Sequence, residues 1–84
     1  LAANPDTGEI RRFLTGPVGC EITGVVTTPD QRTMFINVQH PGANTSEAGF
    51  AAANFDSHWP DGGRTLPRSA TVAIRRLDGG KIGA

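Results

Sequence analysis

Glycine and proline interrupt this chain every few residues, 11 of the first and 6 of the second in 84 positions, and this spacing narrows the possible folds most. Proline removes a backbone donor, and glycine inside a helix or strand costs roughly 0.5–1 kcal/mol relative to alanine. Long helices are therefore disfavoured, and short strands joined by turns are favoured. No helical stripe of useful length is present. Residues 46–53 (SEAGFAAA) are the exception, since Ser46 suits a cap and the alanines favour about two helical turns.

Turn chemistry places the strands. Residues 1–3 and 9–14 read as a hairpin around Asn4-Pro5-Asp6-Thr7-Gly8. Proline pre-sets one torsion there, Asn and Asp bond their own backbone, and glycine supplies a positive φ. A second hairpin is clearer. Residues 21–28 are rich in β-branched side chains, Pro29-Asp30-Gln31-Arg32 turns, and residues 33–38 (TMFINV) return. Met34, Ile36 and Val38 alternate with Phe35, Asn37 and Gln39, so at least one face is apolar; Phe35 leaves burial of both open. Residues 39–69 then lose all pattern. That is far above the usual loop length of about 4–6, and loops so long are functional or disordered. Residues 70–76 (ATVAIRR) alternate again, Asp78-Gly79-Gly80 turns, and Lys81 and Ile82 are expected to begin a last short strand.

The expected fold class is all-β, built of short antiparallel strands. Two hairpins with a Pro-Asp turn suggest a repeated unit, as in β-propellers, whose four-stranded blades recur about every 40–50 residues. In that frame residues 21–28, 33–38, 70–76 and 81 onward are successive strands of one blade, from the inner to the outermost. Residues 1–14 are then the outer hairpin of the preceding blade, and residues 15–84 the terminal blade with its long loop at 39–69. A small stand-alone sheet or sandwich fits the same periodicity.

Composition excludes several classes of function. Eight basic residues balance eight acidic ones, whereas a domain that reads nucleic acid carries a positive excess. No apolar run approaches the ~20 residues of a membrane helix, and no signal-peptide pattern is present. The single Cys20 excludes an internal disulfide. Hydrophobic residues make up 37% and aromatic ones 6%, a thin supply for an independent core in a chain this short. The chain opens at Leu1 without methionine. Either the start was removed, or the chain is part of a longer polypeptide, and the second is the expectation.

Residues 16–42, GPVGCEITGVVTTPDQRTMFINVQHPG, resemble the last blade of PhoX-type alkaline phosphatases, and SHWPDGG at 57–63 and PRSATVAIRR at 67–76 continue the likeness. The ordered set GCEITG, TPD and NVQHPG carries it. The resemblance implies a secreted or periplasmic β-propeller phosphomonoesterase whose central channel uses calcium and iron ions. It also makes GCEITG the matching metal-binding segment.

Glu21 is accordingly the first candidate ligand. It stands at the entrance to the expected inner strand, and its carboxylate is the hard oxygen donor that calcium or iron takes. The alternative is a strand carboxylate bonding a nearby backbone N–H or arginine. Cys20 points to the opposite face in a regular strand and reads mainly as a small buried hydrophobe, with iron ligation as a minor role. His40, in a strand-ending His-Pro-Gly turn, is expected to cap a backbone carbonyl, with an acid–base or phosphate role behind it. Arg64 and Arg68 are weak candidates for bidentate phosphate binding against a default of surface arginine. His58-Trp59-Pro60 is expected to anchor the long loop, with Trp59 packed on the sheet. Asn44-Thr45-Ser46 fits the glycosylation pattern of eukaryotic secreted proteins. Neither a GxSxG nucleophile elbow nor a phosphate-binding GxxxxGK[ST] loop is present.

Two functions follow. One is the C-terminal part of a metal-dependent phosphomonoesterase, inactive alone, whose partners are the rest of the propeller, or further copies of itself through exposed strand edges. The other is a propeller-derived structural or binding module without catalytic metals.

Overall fold

β-Branched and aromatic side chains concentrate in the stretch TMFINVQ, and it becomes the central strand. The computed structural model describes residues 1–83. The elements are β1 (Ala2–Ala3), β2 (Ile10–Arg11), β3 (Glu21–Thr27), β4 (Thr33–Gln39), α1 (Glu47–Ala51) and β5 (Ala70–Arg75). β1 and β2 form a two-stranded antiparallel ribbon, and β3, β4 and β5 an antiparallel sheet in that order. The architecture is all-β with antiparallel pairing and little helix, as the turn spacing predicts.

Side-chain alternation gives the three-stranded sheet one apolar face. Val38, Ile36 and Met34 lie opposite Ala70, Val72 and Ile74 of β5. Ile36 and Val38 are the buried hydrophobic residues among those described, 3% and 4% exposed. Phe35 is on the other face, opposite Val26 and Ala73, and stays 39% exposed. Burial is therefore one-sided, and Phe35 does not make the second face a core.

A bulge in β3 corrects its own alternation. Thr23 pairs with Asn37, but Val26 pairs with Phe35, so Gly24 and Val25 together oppose Ile36. Gly24 takes φ 61°, and a Cβ there would stand 2.7 Å from Asn37 Nδ2. The extra residue brings Val25 to the same apolar groove as Ile22 and Ile36, although Ile22 and Val25 are three apart. Gly24→Val in the full-length protein is expected to cost about 1–2 kcal/mol through the left-handed backbone alone, with displacement of Asn37 added. The check is melting temperature with limited proteolysis; wild-type values would mean that the bulge relaxes to accept a side chain.

Turns close the ladders as their residue types require. Asn4 Oδ1 accepts the Asp6 N–H at 2.9 Å, and Asn4 N–H reaches the Glu9 carbonyl at 2.8 Å, closing the first hairpin. Asp30 accepts the Thr28 hydroxyl at 2.6 Å and the Arg32 N–H at 3.1 Å, which holds its carboxyl below the usual carboxylate range. Ser46 Oγ caps α1 by accepting the Gly49 N–H at 3.0 Å. The helix is one short turn rather than two, since Ala53 has left the helical region at φ 56°.

The expected strand at Lys81 and Ile82 does not form. Asp78 Oδ1 accepts the Gly80 N–H at 2.9 Å, and the turn sends the chain back over the β3–β4 connection. There Ile82 N–H donates to the Gln31 carbonyl at 2.8 Å, and Arg32 Nη1 donates to the Gly79 carbonyl at 2.9 Å. Satisfying these groups at the turn removes the segment from the edge of β5.

The long loop folds on itself. Phe50 and Phe55 meet edge-on at 5.6 Å between ring centroids, and Phe55 meets His58 at 5.9 Å. Trp59 is half-buried, its peptide bond to Pro60 is cis, and its carbonyl accepts the Arg68 N–H at 3.1 Å. The loop is anchored where buried Gly42 packs against Ser57 and Pro67.

Much apolar surface stays uncovered. Leu1, Phe13 and Leu14 line one side of a groove of about 340 Å³, and Ile22, Val25 and Ile36 line the other. The chain exposes 6202 Å², where a compact protein of this mass exposes about 4,800 Å². Its radius of gyration is 15.8 Å against about 12 Å for a compact domain of this length.

Candidate functional site

The end of β4 and the start of β3 lie side by side because the register sets Glu21 opposite Gln39. One residue beyond, His40 takes a left-handed backbone, φ 39°, followed by buried Pro41 and Gly42. Its ring comes back to the chain before β3. Nδ1 lies 3.1 Å from the Gly19 carbonyl oxygen, and Nε2 lies 3.3 Å from Glu21 Oε2. A carbonyl only accepts, so Nδ1 is the donor in the contact with Gly19. The Gly19 bond first, then the Glu21 carboxylate, push the imidazole above its ordinary value, against a smaller opposing effect of desolvation.

The surrounding backbone is stitched from three segments. Gly42 N–H donates to the Val18 carbonyl at 2.8 Å, and His40 N–H donates to Ser69 Oγ, just before β5, at 3.0 Å. Gly19 is at φ 76°, and a Cβ there would meet the Ala43 nitrogen at 3.0 Å, so the close approach requires glycine. The side chains of His40 and Glu21 are 52% and 61% exposed. An ion pair so open to water adds little stability.

Glu21 keeps its second oxygen without a hydrogen bond among the described residues, where Oε2 is engaged by His40. It fits calcium or iron as one hard oxygen donor. It does not make a whole centre, because calcium takes about 6–8 oxygen ligands. Among the described residues no three His, Cys, Asp or Glu side chains group to hold an ion. Cys20 is half-buried; its Sγ packs over Gly16 together with the Ile22 side chain, away from the Glu21 face.

The arginines lie elsewhere in the bonding pattern. Arg68 forks onto Asp61, with Nε to Oδ2 at 2.8 Å and Nη2 to Oδ1 at 2.9 Å, which occupies one of the two edges of its guanidinium. Arg64 is exposed on the same loop and makes no hydrogen bond among the described residues. His58 Nδ1 pairs with the Thr65 carbonyl at 2.9 Å, inside that loop. The structure thus joins His40 to Glu21 and brings neither arginine into contact with them. Two contributors were not singled out from the sequence. Gly19 had a faint signal as a glycine just ahead of a strand; Ser69, 29 residues from His40, had none.

Comparison with known proteins falls on this corner. The family model for alkaline phosphatase PhoX matches residues 1–42, half of the chain, a stretch that includes both Glu21 and His40. No curated protein and no solved structure matches. No helix among the described residues is long and apolar enough to cross a membrane. With a hairpin, a bulged strand and the Glu21–His40 corner all inside the matched stretch, the chain belongs to the PhoX alkaline phosphatase family.

Proposed function

We propose that these residues are part of an exported, metal-dependent phosphomonoesterase, acting in the periplasm or secreted. Residues 15–84 form the terminal blade of its propeller, and residues 1–14 the outer hairpin of the blade before it. The uncovered apolar face supports this placement, since a neighbouring blade would bury the groove between Leu14 and Ile22. The observation that carries the reading is the Glu21 carboxylate, held at the mouth of β3 within the family-matched stretch with one oxygen unengaged.

In such a site Glu21 supplies one carboxylate to a calcium- and iron-containing centre completed by other parts of the protein. Such ions would supply Lewis-acid activation of a phosphomonoester, with Glu21 as one of the residues that would hold them. This chain's own contribution is placement. His40, fixed by Gly19 and Ser69, holds the carboxylate, and the bulge at Gly24 sets the course of β3 beyond it.

The test is hydrolysis of a chromogenic phosphomonoester by the full-length protein, with calcium and iron measured in the same preparation. Chelator-sensitive turnover with both metals present is expected. A metal-free preparation of normal activity would remove the reading.

A further inference from the structure

We propose that the outer edge of β5 is an interface between two copies of this protein, which pair β5 with β5 in antiparallel fashion about a two-fold axis at Val72. The inference depends neither on Glu21 nor on a metal. Each residue of β5 from Ala70 to Arg75 is matched one to one with β4, without a register shift. Among the described residues, their backbone groups make no hydrogen bond outside that ladder. The other side of the strand therefore presents a regular row of unpaired N–H and C=O groups.

The chain keeps this edge clear at both ends. Before it, Ser69 Oγ accepts the His40 N–H at 3.0 Å. After it, the Asp78 turn carries the chain to Gln31 in the β3–β4 connection. Edges that stay single are usually blunted by proline, lysine or a bulge. β3, at the opposite edge of the sheet, carries such a bulge at Gly24. β5 reads ATVAIR, with no proline, lysine or glycine and one charge at its end.

A second copy fits this edge because the strand is complementary to itself. Ala70, Val72 and Ile74 are half-buried on the face of Ile36 and Val38, while Thr71, Ala73 and Arg75 are exposed on the other. Antiparallel pairing about Val72 sets Val72 opposite its counterpart, Ala70 opposite Ile74 and Thr71 opposite Ala73. Apolar side chains meet on one face, and the apolar faces of the two sheets join across six strands. Arg75 falls opposite Ser69, so no like charges are directly opposed. The two copies of Arg75 lie about 20 Å apart along the strands, whereas parallel in-register pairing would bring them together.

The test places charge where the register predicts contact. Thr71→Lys with Ala73→Lys sets lysine against lysine twice across the axis; Thr71→Lys with Ala73→Glu sets lysine against glutamate twice. Both give up the Thr71 hydroxyl bond to Asn37 Oδ1 at 2.8 Å, so they differ mainly in charge. The full-length protein, sedimented at micromolar concentration, should show twice its chain mass. The Lys/Lys variant should fall to the monomer mass and the Lys/Glu variant should stay a dimer, with far-ultraviolet circular dichroism unchanged in both. Any other wild-type mass, a dimeric Lys/Lys variant or a monomeric Lys/Glu variant each overturns the pairing. Metal content and hydrolysis, measured alongside, bear on Glu21 alone, so failure of the phosphatase reading leaves this one standing.

Discussion

Glu21→Gln in the full-length protein should lower phosphomonoester hydrolysis by on the order of a hundredfold or more, with little change in melting temperature. The amide keeps the shape of the side chain and removes the charge that a hard cation uses. Stability should hardly respond, because the side chain is 61% exposed and its pairing with His40 stands in water. The substitution leaves β3 backbone pairing with β4 untouched, since the Glu21–Gln39 register is a main-chain property. Metal content, rate and melting temperature measured on one preparation decide the matter. A near-normal rate with unchanged metal would make Glu21 a structural carboxylate bonded to a histidine.

The isolated 84-residue chain should show only background phosphatase turnover with calcium and iron supplied, and should self-associate at micromolar concentration. It brings one exposed carboxylate and one imidazole to a centre that needs many donors. Its exposed surface exceeds that of a compact monomer by roughly 1,400 Å², and a standard interface buries about 800 Å² per partner. Leu1, Val25, Val26 and Phe50 are each more than 60% exposed, which leaves too few buried groups to offset about 1–2 kcal/mol of backbone entropy per ordered residue. The outer edge of β5 carries no strand among the described residues and is open to pairing with another chain. Light scattering and sedimentation read the mass. A compact monomer with a cooperative melt would favour an independent small β domain, and chelator-sensitive hydrolysis by the short chain would show a complete site.

These two results bear on different properties of the chain. Loss of metal in Glu21→Gln speaks to the site, whatever covers the apolar face. The state of the isolated chain speaks to the need for covering surface, whatever Glu21 binds. The groove between the N-terminal ribbon and the sheet links them, because the family-matched stretch contributes both Glu21 and most of that groove's lining.

Local chemistry was legible in the residues alone. Alternating Met34, Ile36 and Val38 marked the strand that becomes central, the Thr28–Arg32 turn closed on Asp30, and Ser46 capped its helix. His40 also bonds a backbone carbonyl, Gly19's, as expected of a strand-ending histidine. The strand, the turn and the cap rest on contacts within a few positions or on a fixed period of two; the histidine's partner, Gly19, is 21 positions away and was not named by the sequence. Pairing decided the rest. The bulge at Gly24 exists because β3 must keep Val25 on the face of Ile36, and no local rule counts residues across a ladder. Glu21 and His40 are 19 positions apart and meet only through the β3–β4 register; Ser69 joins them only because β5 returns beside β4. Lys81 and Ile82 carried a strand signal, but the Gln31 carbonyl and the Arg32 guanidinium offered their segment nearer partners than the edge of β5. Sequence by itself therefore determined the three strands of the main sheet and the turns that join its hairpins, while the tertiary structure decided the fate of the last segment and chose which polar groups meet, because hydrogen bonds between distant segments depend on register and not on neighbouring residues.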